Sequence, residues 1–289
     1  MGNTIALAKN YTSILDEVYM NASVTADLTS DNTMVRAGAN ANEIVYPQIA
    51  VSGLGDYSRN SGYTEGSVNL EWKTATFNYD RGTKISVDVM DNEESRDIAF
   101  TMAGSELMRT KVAPEADAFT FATLAGIEGI SKATPVTYAD ATDFLAGLIE
   151  AKNKMDEDEV PEEGRILYAT PTLLNGVMAL DTTKSREILA SFSAIKKVPQ
   201  SRFYTAIDLL DGKTSGEEAG HYRKASTGKD INFMIIHKPA VIKFDKHTAS
   251  DIIPASANAN ADADISKYRK YGIVDVLKNK VAGIYLSHK

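Results

Sequence analysis

The sequence predicts an α+β fold for its 289 residues. Apolar and polar side chains alternate up to residue 89, as in a strand, and a helical pattern begins directly afterwards. The last predicted strands follow long helical and loop-rich segments, so they must return to join elements formed early in the chain. No internal repeat of fixed period is present, which excludes a solenoid or propeller.

Composition limits the classes of function. The chain is 43% hydrophobic and 24% charged, as expected of a folded protein, and its net charge is -8. This charge argues against a protein that grips nucleic acid, which usually displays a basic patch. The absence of cysteine excludes disulfides, thiolate metal sites and a cysteine nucleophile. No signal peptide or membrane-spanning run is predicted, so we expect a soluble intracellular protein with no membrane partner.

The N-terminal region predicts a helix followed by an arm. Apolar residues between positions 7 and 18 fall at helical spacing. Residues 21–43 are small and polar, which predicts an extended arm.

The next segment predicts a two-stranded ribbon. The runs "IVYPQIAV" and "VNLEWKTATFNY" flank a glycine-rich loop, and Val68, Leu70 and Trp72 alternate as in a half-exposed strand. Pro47 places its strand at an edge. An isolated hairpin is marginal in water and its edges invite pairing. The ribbon therefore lies either on its own domain or on a neighbouring subunit.

Two helices are predicted after the ribbon. The turn at Asp91 to Ser95 leads into a long helix that ends near Ala125, and Pro114 kinks or restarts it. Glu115 and Asp117 then fall in a new first turn. A second helix covers residues 140–155 and buries its apolar face.

The remainder predicts strands around short helices. "RILYA" is predicted as a strand, and the helix after it is capped by Thr170 with Pro171 first. "INFMIIHKPAVIKF" predicts two strands around residues 237–239. The chain closes with a strand, a turn at 278–280 and a short strand.

No catalytic, cofactor-binding or metal-binding residue is predicted. The four histidines form no HExxH pair, and no phosphate-binding glycine motif or nucleophile elbow is present. His237, beside a strand end, is interpreted as structural. The acidic run at 156–159 lacks the ligand spacing of a calcium loop and is interpreted as a solvated helix end.

The order of these segments resembles the major capsid proteins of tailed bacteriophages, which have the Hong Kong 97-type fold. The resemblance rests on the polar arm, the ribbon, "DRGTKISVDVMDNEES" leading into a long helix, "ILYATPTLLNGV", "FMIIHKPAV" and the closing "YGIVDVLKNKVAGIY". It covers the chain from about Asn21 to the C-terminus.

The resemblance implies a division of the chain into domains. The long helix would be the spine of a peripheral domain, and an axial domain with a central mixed sheet would lie near the capsomer axes. The implied segments are 1–43, the N-terminal helix and arm; 44–90, the extended loop; 91–133, the peripheral domain; 134–265, the axial domain; and 266–289, strands that return to the peripheral domain and finish beside the axial one.

The resemblance also implies a structural role rather than an enzymatic one. The expected protein forms pentamers and hexamers of itself in an icosahedral phage head that encloses double-stranded DNA without binding it specifically. The implied partners are a separate scaffolding protein and a portal, and the implied location is the virion, assembled in the host bacterial cytoplasm. Four residues are expected at inter-subunit contacts: Tyr57, Tyr63, Trp72 and Lys73. Lys73 lies in the segment that some members crosslink covalently, but no motif marks it, so no crosslink is expected.

Three alternatives stay open on the sequence. An encapsulin-type compartment shares the fold and encloses protein cargo. A carboxylate-dependent hydrolase could use unpaired Asp and Glu residues, although the sequence marks no pair. The β content and polar loops also fit a surface adhesin or carbohydrate-binding module, against which the missing secretion signal weighs.

Overall fold

The computed structural model describes residues 22–30, 36–37, 42–60, 62–94, 98–180 and 182–289. Helices pack against two main sheets, which confirms the α+β prediction. The predicted N-terminal helix and much of the predicted arm lie outside the described residues.

The elements are numbered in chain order. The strands are β1 (Arg36–Ala37), β2 (Glu43–Val51), β3 (Val68–Thr76), β4 (Tyr79–Asp88), β5 (Ser131–Lys132), β6 (Arg165–Ala169), β7 (Ala194–Lys197), β8 (Ile207–Leu209), β9 (Tyr222–Lys224), β10 (Ile231–His237), β11 (Val241–Ile253), β12 (Ala263–Val276) and β13 (Ile284–His288). The α-helices are α1 (Val89–Glu94), α2 (Ile98–Leu107), α3 (Ala113–Gly126), α4 (Ala141–Glu157), α5 (Pro171–Leu180) and α6 (Thr183–Ala190).

A mixed five-stranded sheet in the order β5-β13-β10-β6-β7 forms one half of the subunit. Its central strands β6 and β10 are buried along their whole length. Helix α4 packs on one face through Phe144 and Leu148, which contact a cluster that includes Phe233 of β10. Asp140 begins this helix by accepting hydrogen bonds from the backbone N–H groups of Thr142 and Asp143. The predicted strands and helix are confirmed here.

An antiparallel three-stranded sheet, β11-β12-β4, forms the other half, with α3 packed against it. β11 and β12 make a long hairpin of 13 and 14 residues. Both strands extend further than predicted, because their outer halves are paired: β11 with β12 as far as Ile253, and β12 with β4. The predicted boundary at residue 265 lies inside β12, and the chain passes from the five-stranded to the three-stranded sheet at residues 238–240.

The junction between strand and long helix differs in detail from the prediction. β4 ends at Asp88 and α1 begins at Val89, two residues before the predicted turn at Asp91. The Asp88 carboxylate accepts a hydrogen bond from the Met90 N–H, which satisfies one of the free donors of a helix start. Residues 95–97 lie outside the described residues.

A π-helical turn divides the long helix. Residues Met108–Val112 are π-helical, and α3 begins at Ala113 with Pro114 in its first turn. Because proline has no N–H and its ring crowds the preceding turn, a widened turn accommodates it without ending the helix. The predicted restart at Pro114, with Glu115 in the first turn, is confirmed, whereas Asp117 lies beyond that turn.

Residues 22–30, which we call the strap, lie inside the subunit rather than extended from it. Ala26–Leu28 form a 3₁₀ turn, and Leu28 is fully buried in the core that joins the two sheets. The fully buried Asp117 carboxylate of α3 accepts hydrogen bonds from both the hydroxyl and the N–H of Thr25. The prediction of an extended arm is wrong for this stretch.

Candidate functional site

Among the described residues, the buried contacts of the ribbon, β2 and β3 with their connecting loop, lie at its base. Ile44, Tyr46 and Ala75 are buried there. They pack with Phe244 and Ile273 of the three-stranded sheet. Beyond this base both strands run into solvent, as their burial patterns show. The predicted ribbon is confirmed, and its outer half does not lie on its own domain.

The register of β2 and β3 gives the ribbon two different faces. Residues opposite each other in an antiparallel pair point to the same face. The pairs Pro47–Trp72, Ile49–Leu70 and Val51–Val68 therefore share one face, which we call the apolar face. Apart from Pro47, its side chains are between 43% and 71% exposed.

The apolar face points away from the subunit's own core. The buried base residues Ile44, Tyr46 and Ala75 occupy alternate positions, on the opposite face from Trp72. Because side chains alternate strictly along a strand, the base contacts and the apolar face are on opposite sides of the same two strands. Covering the apolar face requires atoms from outside this ribbon and its base.

The second face of the outer ribbon is polar. The Lys73 ammonium pairs with the Glu71 carboxylate, which also accepts a hydrogen bond from the Asn69 amide at 3.1 Å. The hydrogen bond from Lys73 lowers the pKa of Glu71. Lys73 and Trp72 are thus neighbours in sequence on opposite faces, and the four predicted contact residues do not form one cluster.

The connecting loop closes the tip with an aromatic pair. The rings of Tyr57 and Tyr63 are 4.9 Å apart, and both side chains are exposed. Ser58 and Gly62 exchange backbone hydrogen bonds of 3.1 and 2.7 Å between them. Gly62 has φ of +79°, a conformation that favours glycine. The structure therefore brings the two predicted tyrosines together, away from Trp72.

Sequence reasoning missed half of the apolar face. It identified Val68, Leu70 and Trp72 on one strand, but not Pro47, Ile49 or Val51 as members of the same surface. The alternation of those three residues in β2 was a usable signal. What the sequence could not supply was the register that sets them opposite Val68, Leu70 and Trp72.

The most buried carboxylate is not available for chemistry. Asp117 accepts hydrogen bonds from Ser23 Oγ, Val24 N, Thr25 N and Oγ1, and Arg202 Nη1. These five donors saturate its two oxygens, which have about four lone-pair sites. Asp117 is a structural acid rather than a base or nucleophile.

No other chemistry stands out in the part of the chain that the structure describes. It contains no group of three or more His, Cys, Asp or Glu side chains arranged to hold a metal ion. Within the same residues, no helix is long and apolar enough to cross a membrane. His237 is buried beside the end of β10, and burial lowers its pKa.

Comparison of sequences identifies no relative. No family model matches the chain, and no curated protein matches it.

Solved structures, in contrast, match almost the whole chain. The capsid of cyanophage P-SCSP1u matches with a TM-score of 0.60 and 16% identity, over 92% of this chain and 88% of its own. The mature capsid of bacteriophage PhiM1 matches with a TM-score of 0.58 and 12% identity, over 86% and 82%. A virus-like particle from Pyrococcus furiosus matches with a TM-score of 0.60 and 9% identity, over 97% and 99%.

These structures are named as capsids or as a virus-like particle. The chain has the fold of the phage major capsid proteins.

Proposed function

We propose that this chain is the repeating subunit of a closed icosahedral shell, a phage head that encloses double-stranded DNA. The observation that carries the proposal is the apolar face of the ribbon, which is exposed and directed away from the subunit's own core. Soluble monomers rarely expose a contiguous apolar patch of this kind unless it is an interaction site.

The apolar face can supply substantial binding energy. Fully burying a Val, Leu or Ile side chain is worth about 1.5–3 kcal/mol. Four such residues and Trp72 are between 43% and 71% exposed, so covering them contributes several kcal/mol per contact. Large aromatic residues such as Trp72 often dominate an interface.

The partner that fits this face best is a second copy of the chain. The ribbon leaves the subunit at one end of the three-stranded sheet, so a copy that receives it makes a head-to-tail contact. Head-to-tail contacts produce closed rings when the rotation between copies closes. Rings of five and six copies are the units of an icosahedral lattice, and the similar structures are named as capsids or as a virus-like particle.

The charge of the chain is compatible with enclosing DNA rather than binding it. A net charge of -8 repels phosphate, so packed DNA would not adhere to the shell through long-range attraction. In this proposal the virion is the location, the host bacterial cytoplasm is the place of assembly, and a separate scaffolding protein and a portal are the further partners.

A shell that holds protein cargo, of the encapsulin type, is the second candidate. It is favoured by the similarity to a virus-like particle from Pyrococcus furiosus, which covers nearly all of both chains. The nature of the contents separates the two candidates, since the shell contacts are the same in both.

The test is electron microscopy of the expressed chain, with sedimentation velocity on the same sample, alone and with the neighbouring genes. Closed shells, or rings of five and six copies, are expected. Nuclease-protected DNA in native particles supports the phage head, and protein cargo supports the compartment. A small discrete oligomer under every condition would overturn both.

A further inference from the structure

Three unusual features meet at one cleft of about 500 Å³ between β4, the long helix and the loop that follows β8. The π-helical turn Met108–Val112 forms one wall. The loop 210–221, between β8 and β9, forms another, and its last residue His221 has φ of +72°. The floor contains the buried Glu115 and its partner Arg81. Strained backbone and π turns are frequent at functional positions.

Arg81 joins three separate elements. Its Nε lies 2.6 Å from Glu115 Oε1, and its Nη2 lies 3.3 Å from Glu115 Oε2. The same Nη2 donates to the carbonyl oxygens of Leu210 at 2.8 Å and His221 at 3.2 Å. One guanidinium group of β4 therefore contacts both the long helix and the mouth of the loop, by which we mean its two end residues Leu210 and His221.

The loop is ordered within itself. The Asp211 carboxylate accepts hydrogen bonds from the N–H groups of Lys213 and Thr214 and from the Thr214 hydroxyl. At the mouth, Leu210 N donates to His221 O at 2.9 Å. Since the bonds from Arg81 converge on the two carbonyls at the mouth, they control how the loop as a unit sits against the long helix.

The ion pair between Arg81 and Glu115 is costly to break because Glu115 is buried. Glu115 is 7% exposed. Desolvation raises its pKa, but the nearby His221 ring, with Nδ1 3.6 Å from Glu115 Oε2, and the hydrogen bonds from Arg81 outweigh that effect, and the pKa is lowered overall. Removing one partner of such a pair leaves an uncompensated buried charge. An arginine also holds several acceptors at once through its planar fork, which a lysine cannot do.

The same arginine is connected directly to the ribbon. It lies in β4, only five residues after Thr76, the last residue of β3. The short link between the strands is fixed on both sides, because Phe77 N donates to Asn42 O and Asn78 exchanges hydrogen bonds with Val274. The base of the ribbon and the start of β4 are therefore held next to each other, a few residues before Arg81.

We propose that Arg81 is a coupling residue that makes the order of the loop 210–221 depend on the position of the ribbon. Docking of the ribbon on a second copy steadies β4, makes the bonds from Arg81 to Leu210 O and His221 O more persistent, and stiffens the loop. This inference rests on the proposed function, since it takes the ribbon as the docking element. The ribbon and the loop 210–221, which lie at different places on the subunit, would then become ordered together.

The test is hydrogen–deuterium exchange of the loop amides 211–220 in the unassembled chain and in assembled particles. The test variant is Arg81→Met, and Arg269→Met is the matched control. Arg269 also forms a two-bond pair with a residue of β4, Asp80, at 2.9 and 2.7 Å, but this pair is exposed and Arg269 donates no hydrogen bond to the loop. Unchanged exchange in β10 shows that each variant is folded. If Arg81→Met does not fold, Arg81→Lys replaces it.

We expect the loop of unassembled Arg81→Met to exchange at least tenfold faster than in the wild type, and Arg269→Met to match the wild type. Assembly should slow loop exchange at least threefold in the wild type and leave it unchanged in the Arg81 variant. Equal loop exchange in the wild type and in the Arg81 variant, or slowing on assembly in both, would overturn the coupling while shells still form. A wild-type chain that never assembles would instead overturn the proposed function and the docking half of the inference.

Discussion

The Lys243 ammonium of β11 donates hydrogen bonds to the Thr25 carbonyl at 2.8 Å and to the Thr25 hydroxyl at 2.6 Å. That hydroxyl in turn donates to Asp117 at 2.7 Å. A buried cation, a threonine of the strap and a buried carboxylate thus form one chain of hydrogen bonds. It ties the strap to both the three-stranded sheet and the long helix.

The stability contributed by Lys243 should depend on pH in the alkaline range. Burial lowers its pKa from 10.5 to about 8. Between these two values the unfolded chain binds the proton and the folded chain does not, so folding becomes more favourable as pH rises. At about 1.4 kcal/mol per pH unit, the full gain is on the order of 3 kcal/mol. Urea denaturation from pH 7.5 to 10 gives the free energy of unfolding of the wild type and of Lys243→Met. The difference between the two pH profiles is the contribution of Lys243. Parallel pH profiles would contradict the assignment.

Asp117→Asn should destabilise the subunit by about 3 kcal/mol or more. The substitution removes the charge that pairs with Arg202 at 3.1 Å and turns one acceptor into a donor, which leaves buried groups unsatisfied. Urea denaturation gives the free energy of unfolding. Asp27→Asn is the control, because Asp27 lies in the same strap but forms an exposed pair with Lys196. Exposed pairs contribute at most about 1 kcal/mol. Equal effects at the two positions would argue against a special role of Asp117.

Trp72→Ala should impair assembly far more than folding. Truncating a large aromatic anchor typically weakens an interface by about 2 kcal/mol or more, which raises the critical assembly concentration at least tenfold. Light scattering against concentration measures this, and circular dichroism monitors the fold. Asn69→Ala is the matched control, since Asn69 lies on the opposite face of the same strand and is not among the four expected contact residues. Normal assembly of Trp72→Ala would exclude the apolar face as the contact.

Asp140→Ala should weaken helix α4 by about 1 kcal/mol, the usual effect of losing an N-cap side chain. The Asp140 carboxylate accepts from Thr142 N at 2.7 Å and Asp143 N at 2.9 Å. Thermal or urea denaturation provides the measurement. Thr142→Ala keeps both backbone donors, so we expect a change below about 0.5 kcal/mol there. A larger loss at Thr142 than at Asp140 would refute the cap.

Local patterns of apolar and polar side chains were sufficient to predict the ribbon, α4 and the closing strands. In these segments one side faces a core and the other faces solvent, so the period of the side chains is visible in the sequence. Pro114 likewise marked the interruption of the long helix. The length of β11 and β12 could not be predicted in this way, because their outer halves are supported by pairing between strands. β11 pairs with β12, and β12 pairs with the distant β4.

The strap shows more clearly what the sequence pattern could not predict. Ser23 and Thr25 are small and polar, which is typical of an exposed arm, yet both are buried. Their burial depends on Asp117, more than 90 residues away. The candidate contact surface was predicted in part for a similar reason: Trp72 was visible as an exposed aromatic residue, but grouping it with Ile49 and Val51 requires the pairing of two strands.

The register of the ribbon has a consequence for its evolution and engineering. Adding one residue to each strand between the buried base and the outer pairs would turn the apolar face toward the subunit itself, since side chains alternate with a period of two. Adding two residues to each strand would lengthen the ribbon and keep that side outward. Natural variation in ribbon length should therefore proceed in even steps, with odd steps tolerated only where a bulge restores the original side.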